Sequence, residues 1–282
     1  MNFIFRTLSS VVLVSVFFLS VLWGSPWAST WFTVFTAFLT FIGVLEFLRM
    51  LAGIGRKSYP LFTAVAGALM VIVSISTGIA ALPVLVLFTV IGWILILCAG
   101  QDREVLDRVL NSIAGLTIIL MPLSCLIGLY LADGNGHEAG RKFLLYLVIV
   151  TKAGDIGAYL TGTLTNRLLS GGNHKVIPSI SPKKSWEGLG GGLFLSVLSS
   201  ILTWKYLALA SILPYPFILM LGVILFLGGF AGDLAESSLK RMANSKDSGC
   251  LVPGIGGVLD LLDSFLINAP LFYYLLKYQG LA

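Results

Sequence analysis

Charge is scarce in this 282-residue sequence: 18 Lys and Arg and 13 Asp and Glu make up only 11% of it. A soluble globular chain carries about 25% charged residues, so this composition excludes an ordinary water-facing surface. Cysteine is also sparse. Cys98, Cys125 and Cys250 are an odd number, scattered and without metal-ligand spacing, which argues against a disulfide framework and a thiolate metal site and leaves them as free thiols. No stretch alternates polar and apolar residues as a strand does, no segment is of low complexity, and no internal repeat stands out. The net charge of +5 gives no argument for nucleic acid as a partner.

What the chain has instead is apolar residues, 57% of the total, with a mean hydropathy of +0.96. A helix crosses a ~30 Å hydrocarbon core with about 20 residues, and most of the apolar runs reach that length. In lipid the backbone must satisfy its own hydrogen bonds, so helices are the available spans. The expected fold is all-α: a polytopic membrane protein with about nine transmembrane helices, near 4–23, 30–50, 59–77, 82–99, 109–131, 143–163, 188–210, 215–238 and 262–279. The first run follows Arg6 without a small-residue cleavage site and reads as a retained helix rather than a signal peptide. Residues 1–142 and 143–282 are expected as an N-terminal helical part and a catalytic part of one integral domain, the latter with polar loops 163–187 and 239–261.

Lys and Arg concentrate on one side of this topology. Arg6, Arg49, Arg56, Lys57, Arg103, Arg108, Arg167, Lys175, Lys183, Lys184, Lys240, Arg241 and Lys246 fall there, against Arg141, Lys142, Lys205 and Lys277 opposite. The positive-inside rule then places the N-terminus and both polar loops in the cytoplasm.

Ionisable groups inside the apolar runs are functional candidates, because each costs at least ~2.5–3.5 kcal/mol to insert. Glu46 stands near Arg49 and reads as a structural ion pair. Lys152/Asp155, Asp233/Glu236 and Asp260/Asp263 are each spaced by three, which puts both members on one helix face. Carboxylates gathered in low dielectric repel unless a cation sits among them, and hard oxygen ligands suit Mg²⁺. A single helix cap would need only one of Asp260 and Asp263. The stretch "SISPKKSWEG" (Ser179–Gly188) adds adjacent lysines and hydroxyls ahead of "GLGGG", where glycines permit close approach and helix N–H groups attract anions. The Walker spacing is absent.

The stretch "SSLKRMANSKDSGCLVPGIGGVLDLLD" (Ser237–Asp263) resembles, without a gap, the C-terminal signature of the phosphatidate cytidylyltransferases. Ser237, Lys240, Arg241, Lys246, Asp247, Gly249, Pro253, Gly256, Gly257, Asp260 and Asp263 match it. "GDIGAYLTG" (Gly154–Gly162), "SPKKSWEG" (Ser181–Gly188) and "GDLAESSLKR" (Gly232–Arg241) are similar to further blocks of the family. Val252 replaces Leu, Ile or Phe, Ile255 stands where the signature has histidine, and Leu261 where it has arginine.

The resemblance implies transfer of CMP from CTP to phosphatidic acid, giving CDP-diacylglycerol and pyrophosphate in phospholipid biosynthesis, at the cytoplasmic face of the inner membrane. It implies Mg²⁺ on Asp233 and Asp260, with Asp263 or a second cation beside them, and Asp155 as a further catalytic carboxylate. Ser181, Lys183 and Lys184 are expected on CTP phosphates, and Lys240, Arg241, Lys246 and Asp247 on phosphatidate or pyrophosphate. The partners are CTP, phosphatidic acid and membrane lipids, with a homodimer as one option for assembly. The rivals are a polyprenol kinase, a cytidylyltransferase for another lipid phosphate, or an ion-coupled transporter. A transporter would place its acids near the midplane of an inverted repeat.

Overall fold

Hydropathy marks where a helix meets lipid, whereas hydrogen bonding decides where it ends, and the two differ along this chain. In a computed structural model, residues 27–77, 81–99, 102–132, 138–245, 248–249 and 256–281 are described, with Phe17 and Val21. They form α1 (Ala28–Gly53), α2 (Pro60–Thr77), α3 (Ala81–Ala99), α4 (Arg103–Leu131), α5 (Glu138–Leu168), α6 (Trp186–Tyr206), α7 (Tyr215–Met242) and α8 (Leu259–Tyr278). Of the helix expected at 4–23, Phe17 and Val21 are described, both helical, and the rest lies outside the described residues. The other eight are present, several of them longer than their apolar runs. α4 begins six residues before the expected 109 because Asp102 Oδ1 accepts the Glu104 N–H at 2.8 Å, a side-chain cap in a polar segment. α5 starts in polar sequence too, where Lys142 pairs with Glu138 at 2.7 Å one turn apart.

Among the described residues, five helices (α1, α4, α5, α7 and α8) are long and apolar enough to cross a membrane. The sequence offers no strand pattern, yet β1 (Lys175–Ile177) and β2 (Ser181–Ser185) pair antiparallel. Two short strands closed on each other need no alternating apolar face when they cover no core.

Packing divides the chain into two compact units, Met1–Leu131 with Leu239–Leu262, and Ala132–Ser238 with Asp263–Ala282. In the first, α1 packs on α2 and α4, and α3 on α4. Gly67 makes the α1–α2–α4 approach possible, since a Cβ there would stand 3.0 Å from Leu116 and 3.1 Å from Thr40. Phe32 and Tyr130 stack at 4.3 Å, and Lys57 meets Glu104 at 2.7 Å at an exposed end.

In the second unit α5 lies against α6 along small residues. A Cβ on Gly157 would reach Gly191 O at 2.7 Å and Leu195 Cβ at 2.9 Å, and one on Gly192 would stand 2.9 Å from Gly154 O. With lipid outside, close van der Waals packing and interhelical hydrogen bonds hold helices together, rather than a hydrophobic drive. The bonds are present: Ser196 Oγ donates to Gly222 O at 2.9 Å, Ser200 Oγ to Ile218 O at 2.8 Å, and Asn268 Nδ2 to Thr151 Oγ1 and Leu225 O at 2.9 and 2.8 Å. The glycines of "GLGGG", expected to face a ligand, therefore mostly face α5.

Gly157→Ala is expected to destabilise the protein by about 1–3 kcal/mol through overpacking against backbone. Gly190→Ala, which meets nothing within 4 Å, is expected to stabilise the helix by about 0.5–1 kcal/mol. The thermal midpoint of the purified protein in detergent separates the two: equal shifts would remove close packing as the reason for Gly157.

Candidate functional site

The polar loop before α6 is folded onto its helix by local bonds. Asn173 Nδ2 donates to Gly162 O at 2.6 Å and to Ser185 Oγ at 3.1 Å, and Ser185 caps α6 by accepting the Gly188 N–H at 3.1 Å. His174 Nδ1 meets Glu187 Oε1 at 2.7 Å. The hairpin is thereby held, and strand alternation sends its two lysines to opposite faces. Lys183 is exposed, whereas Lys184 turns inward to Asp233 at 2.7 Å and lies 4.4 Å over the Phe230 ring. Ser181, at the start of β2, is half-buried.

Asp233 belongs to the second unit's carboxylate group. Gly232 lets α7 touch α8 there, because a Cβ would collide with the Asp263 carbonyl oxygen and stand 3.3 Å from Ser264 Cα. Oxygens of Asp233, Glu236 and Asp263 all come within 4.8 Å of one another. Ser264 Oγ donates toward Asp155 Oδ2 at 3.3 Å and Asp263 Oδ1 at 3.2 Å, and Lys152 pairs with Asp155 at 3.0 Å. Three carboxylates this close are mutually repulsive in low dielectric, and their hard oxygens fit a divalent cation such as Mg²⁺. The spacing of Glu236 from Asp233 puts both on one face of α7, but only the approach of α7 to α8 brings Glu236 to Asp263.

The first unit holds a separate polar group. Lys240 Nζ meets Asp260 Oδ1 at 2.6 Å, and the two side chains are 15% and 13% exposed. Asp260 Oδ2 accepts the Gly257 N–H at 2.6 Å and Ser248 Oγ–H at 2.9 Å. Gly256 has φ +121°, a backbone conformation open to glycine, and a Cβ there would collide with the Asp260 carboxylate. Arg241 is exposed. Lys246, Asp247 and Ile255 lie outside the described residues. Ser248 and Ser264 carried no signal of their own in the sequence, since serine is common and only the fold brings these two to carboxylates.

Lys184→Met is expected to lower stability by about 1–2 kcal/mol through loss of a charge-assisted bond and a cation–π contact. Lys183→Met is expected to leave the thermal midpoint unchanged, so equal effects would contradict the facing of the two strands.

The profile of the cytidylyltransferase family matches residues 4–279. An uncharacterised protein of Escherichia coli (strain K12), YnbB, is 32% identical over 206 residues, which are 71% of this chain and 66% of that protein. The phosphatidate cytidylyltransferase of Bacillus subtilis (strain 168) is 41% identical over 145 residues, 50% of each chain. The phosphatidate cytidylyltransferase of Mycobacterium tuberculosis (strain ATCC 25618 / H37Rv) is 38% identical over 152 residues, 54% of this chain and 42% of that protein. The matched part thus spans about half the length of the relatives that carry this name. With a profile match over nearly all of its length, and the carboxylates and lysines of the signature in place, the chain belongs to the cytidylyltransferase family.

Proposed function

We propose that the protein transfers CMP from CTP to phosphatidic acid, giving CDP-diacylglycerol and pyrophosphate, at the cytoplasmic face of the inner membrane. The observation that carries this reading is the convergence of Asp233, Glu236 and Asp263 in a chain of this family. A phosphatidate oxygen attacks the α-phosphorus of CTP, the new P–O bond forms, and the bond to the β-phosphate oxygen breaks as pyrophosphate leaves. Phosphatidate is anionic near neutral pH, so the reaction asks for charge neutralisation and alignment more than for a general base.

Asp233, Glu236 and Asp263 would hold Mg²⁺, which when bound neutralises phosphate charge. The ligand pair read from the sequence is Asp233 and Asp260. We favour Glu236 and Asp263 beside Asp233, since among the described residues Asp233 has one ion-pair partner to release, Lys184, whereas Asp260 has Lys240, Ser248 and Gly257. Asp260 is given a different part: it keeps the Lys240 ammonium in one place, ready for a phosphate anion. Lys184, on leaving Asp233, is assigned to CTP phosphates, with Ser181 and Lys183 of the same hairpin. Arg241, Lys246 and Asp247 are assigned to the phosphatidate or pyrophosphate end. Asp155, tied to Lys152 and Ser264, supports Asp263.

The same reading has nine crossings with the N-terminus in the cytoplasm and the catalytic groups within residues 143–282. The Lys and Arg asymmetry supports it, as does the Lys57–Glu104 pair, which joins the loop before α2 to the start of α4.

The experiment is CTP- and Mg²⁺-dependent conversion of radiolabelled phosphatidate by the purified protein, with ATP and diacylglycerol as the control pair. Product only from the control pair would favour a lipid kinase. Asp233→Asn, Asp260→Asn and Asp263→Asn are each expected to retain less than about a tenth of turnover. Mn²⁺ titration separates their roles: affinity is expected to fall at least about tenfold in Asp233→Asn, Glu236→Gln and Asp263→Asn, and to hold in Asp260→Asn. Weakened Mn²⁺ binding in Asp260→Asn alone would return the metal to that residue.

A further inference from the structure

Glu46 is the carboxylate that the proposed reaction does not use. It is 1% exposed, in the apolar stretch "FIGVLEFLRM" of α1. Burying a carboxylate is expensive unless donors receive it. Arg49, the partner the sequence suggests, is exposed. Glu46 turns instead to the C-terminal segment, where its Oε2 accepts the Leu259 N–H at 2.9 Å, across 213 residues of sequence. Leu259 opens α8, so its N–H is one of the donors that a helix start leaves without an intrahelical partner. Glu46 is thus a cap supplied by a distant helix, with its charge at the positive end of the α8 dipole.

Two glycines of the signature are shaped by the same side chain. A Cβ on Gly249 would stand 2.7 Å from Glu46 Cδ, and one on Gly257 would stand 2.8 Å from it, with oxygens nearer still. Gly257 N–H and Ser248 Oγ in turn donate to Asp260. Ser248, Gly249 and Gly257 are therefore clasped between two carboxylates, one from α1 and one from α8. Among the described residues Glu46 Oε1 has no hydrogen-bond partner, so stability alone is a poor reason for a charge here. A buried ionic group can often be exchanged for an apolar one of similar volume without loss of stability.

We infer that Glu46 is a positioning residue: it fixes Gly249, Gly257 and the start of α8, and thereby the orientation in which Asp260 holds Lys240. It touches no substrate. The activity arm of its test rests on the proposed cytidylyl transfer, whereas the exchange arm does not.

The test uses the full chain in lipid nanodiscs, as wild type, Glu46→Leu, Glu46→Gln and Gly249→Ala. Glu46→Leu is expected to melt within about 5 °C of wild type. Its deuterium uptake over residues 256–260 should rise, with kcat lower by about 10- to 100-fold and KM for CTP changed by less than about threefold. Glu46→Gln, which keeps an acceptor oxygen, should recover part of the lost kcat. If Glu46→Leu does not fold, Gly249→Ala, which presses on the same carboxyl group, decides by the same two readouts. Wild-type uptake in the deciding variant overturns the inference, and so does raised uptake with wild-type kcat, which would leave Glu46 a merely structural cap. If wild type shows no CTP-dependent turnover, the reaction reading fails, and uptake alone still decides whether Glu46 holds the segment.

Discussion

The need to neutralise carboxylates away from water organises this protein. Among the described residues, four acidic groups in or beside apolar helices are each met by a donor of a definite kind. Asp155 has Lys152, Asp233 has Lys184, Asp260 has Lys240, and Glu46 has the amide that opens α8. Because an uncompensated charge in low dielectric is worth several kcal/mol, these pairings decide where chain segments lie. The hairpin of β1 and β2 is held near Phe230 by an ion pair and a cation–π contact on Lys184, and Ser248, Gly249 and Gly257 by two carboxylates.

Such pairings need close backbones, and the glycines provide them. Gly157, Gly188 and Gly192 bring α5 against α6, and Gly228, Gly229 and Gly232 bring α7 against α8 around Asn268 and Ser264. Gly249 and Gly257 leave room for the Glu46 carboxylate itself. A glycine-rich motif in a membrane enzyme invites a reading as a phosphate cradle. Here most of these glycines face protein.

The position of charge relative to each helix also separates the two acidic groups chemically. Asp233, Glu236 and Asp263 bring oxygens within 4.8 Å of one another, with Lys184 on Asp233, while Asp260 is met by an ammonium, a hydroxyl and an amide. Leu261, where the signature has arginine, sits in the first turn of α8, its N–H on Val258 O at 3.0 Å.

The all-α class, the expected helices that fall among the described residues and the chemistry-bearing blocks are all legible in the sequence by itself. Lipid allows a spanning backbone one local solution, and motif spacing is a property of the chain alone. Helix ends were less legible, because α4 and α5 continue through polar turns that hydropathy does not mark. The hairpin was not legible at all: "SPKKS" has no alternating pattern, and its pairing with Lys175–Ile177 shows only in backbone bonds. The partner of Glu46 was the least legible. Arg49 stands three residues away in sequence, yet the helix turns it outward, and the amide that receives Glu46 lies 213 residues on. Sequence fixes which groups carry charge, but which donor reaches a buried one depends on how distant helices pack, and that only the tertiary structure decides.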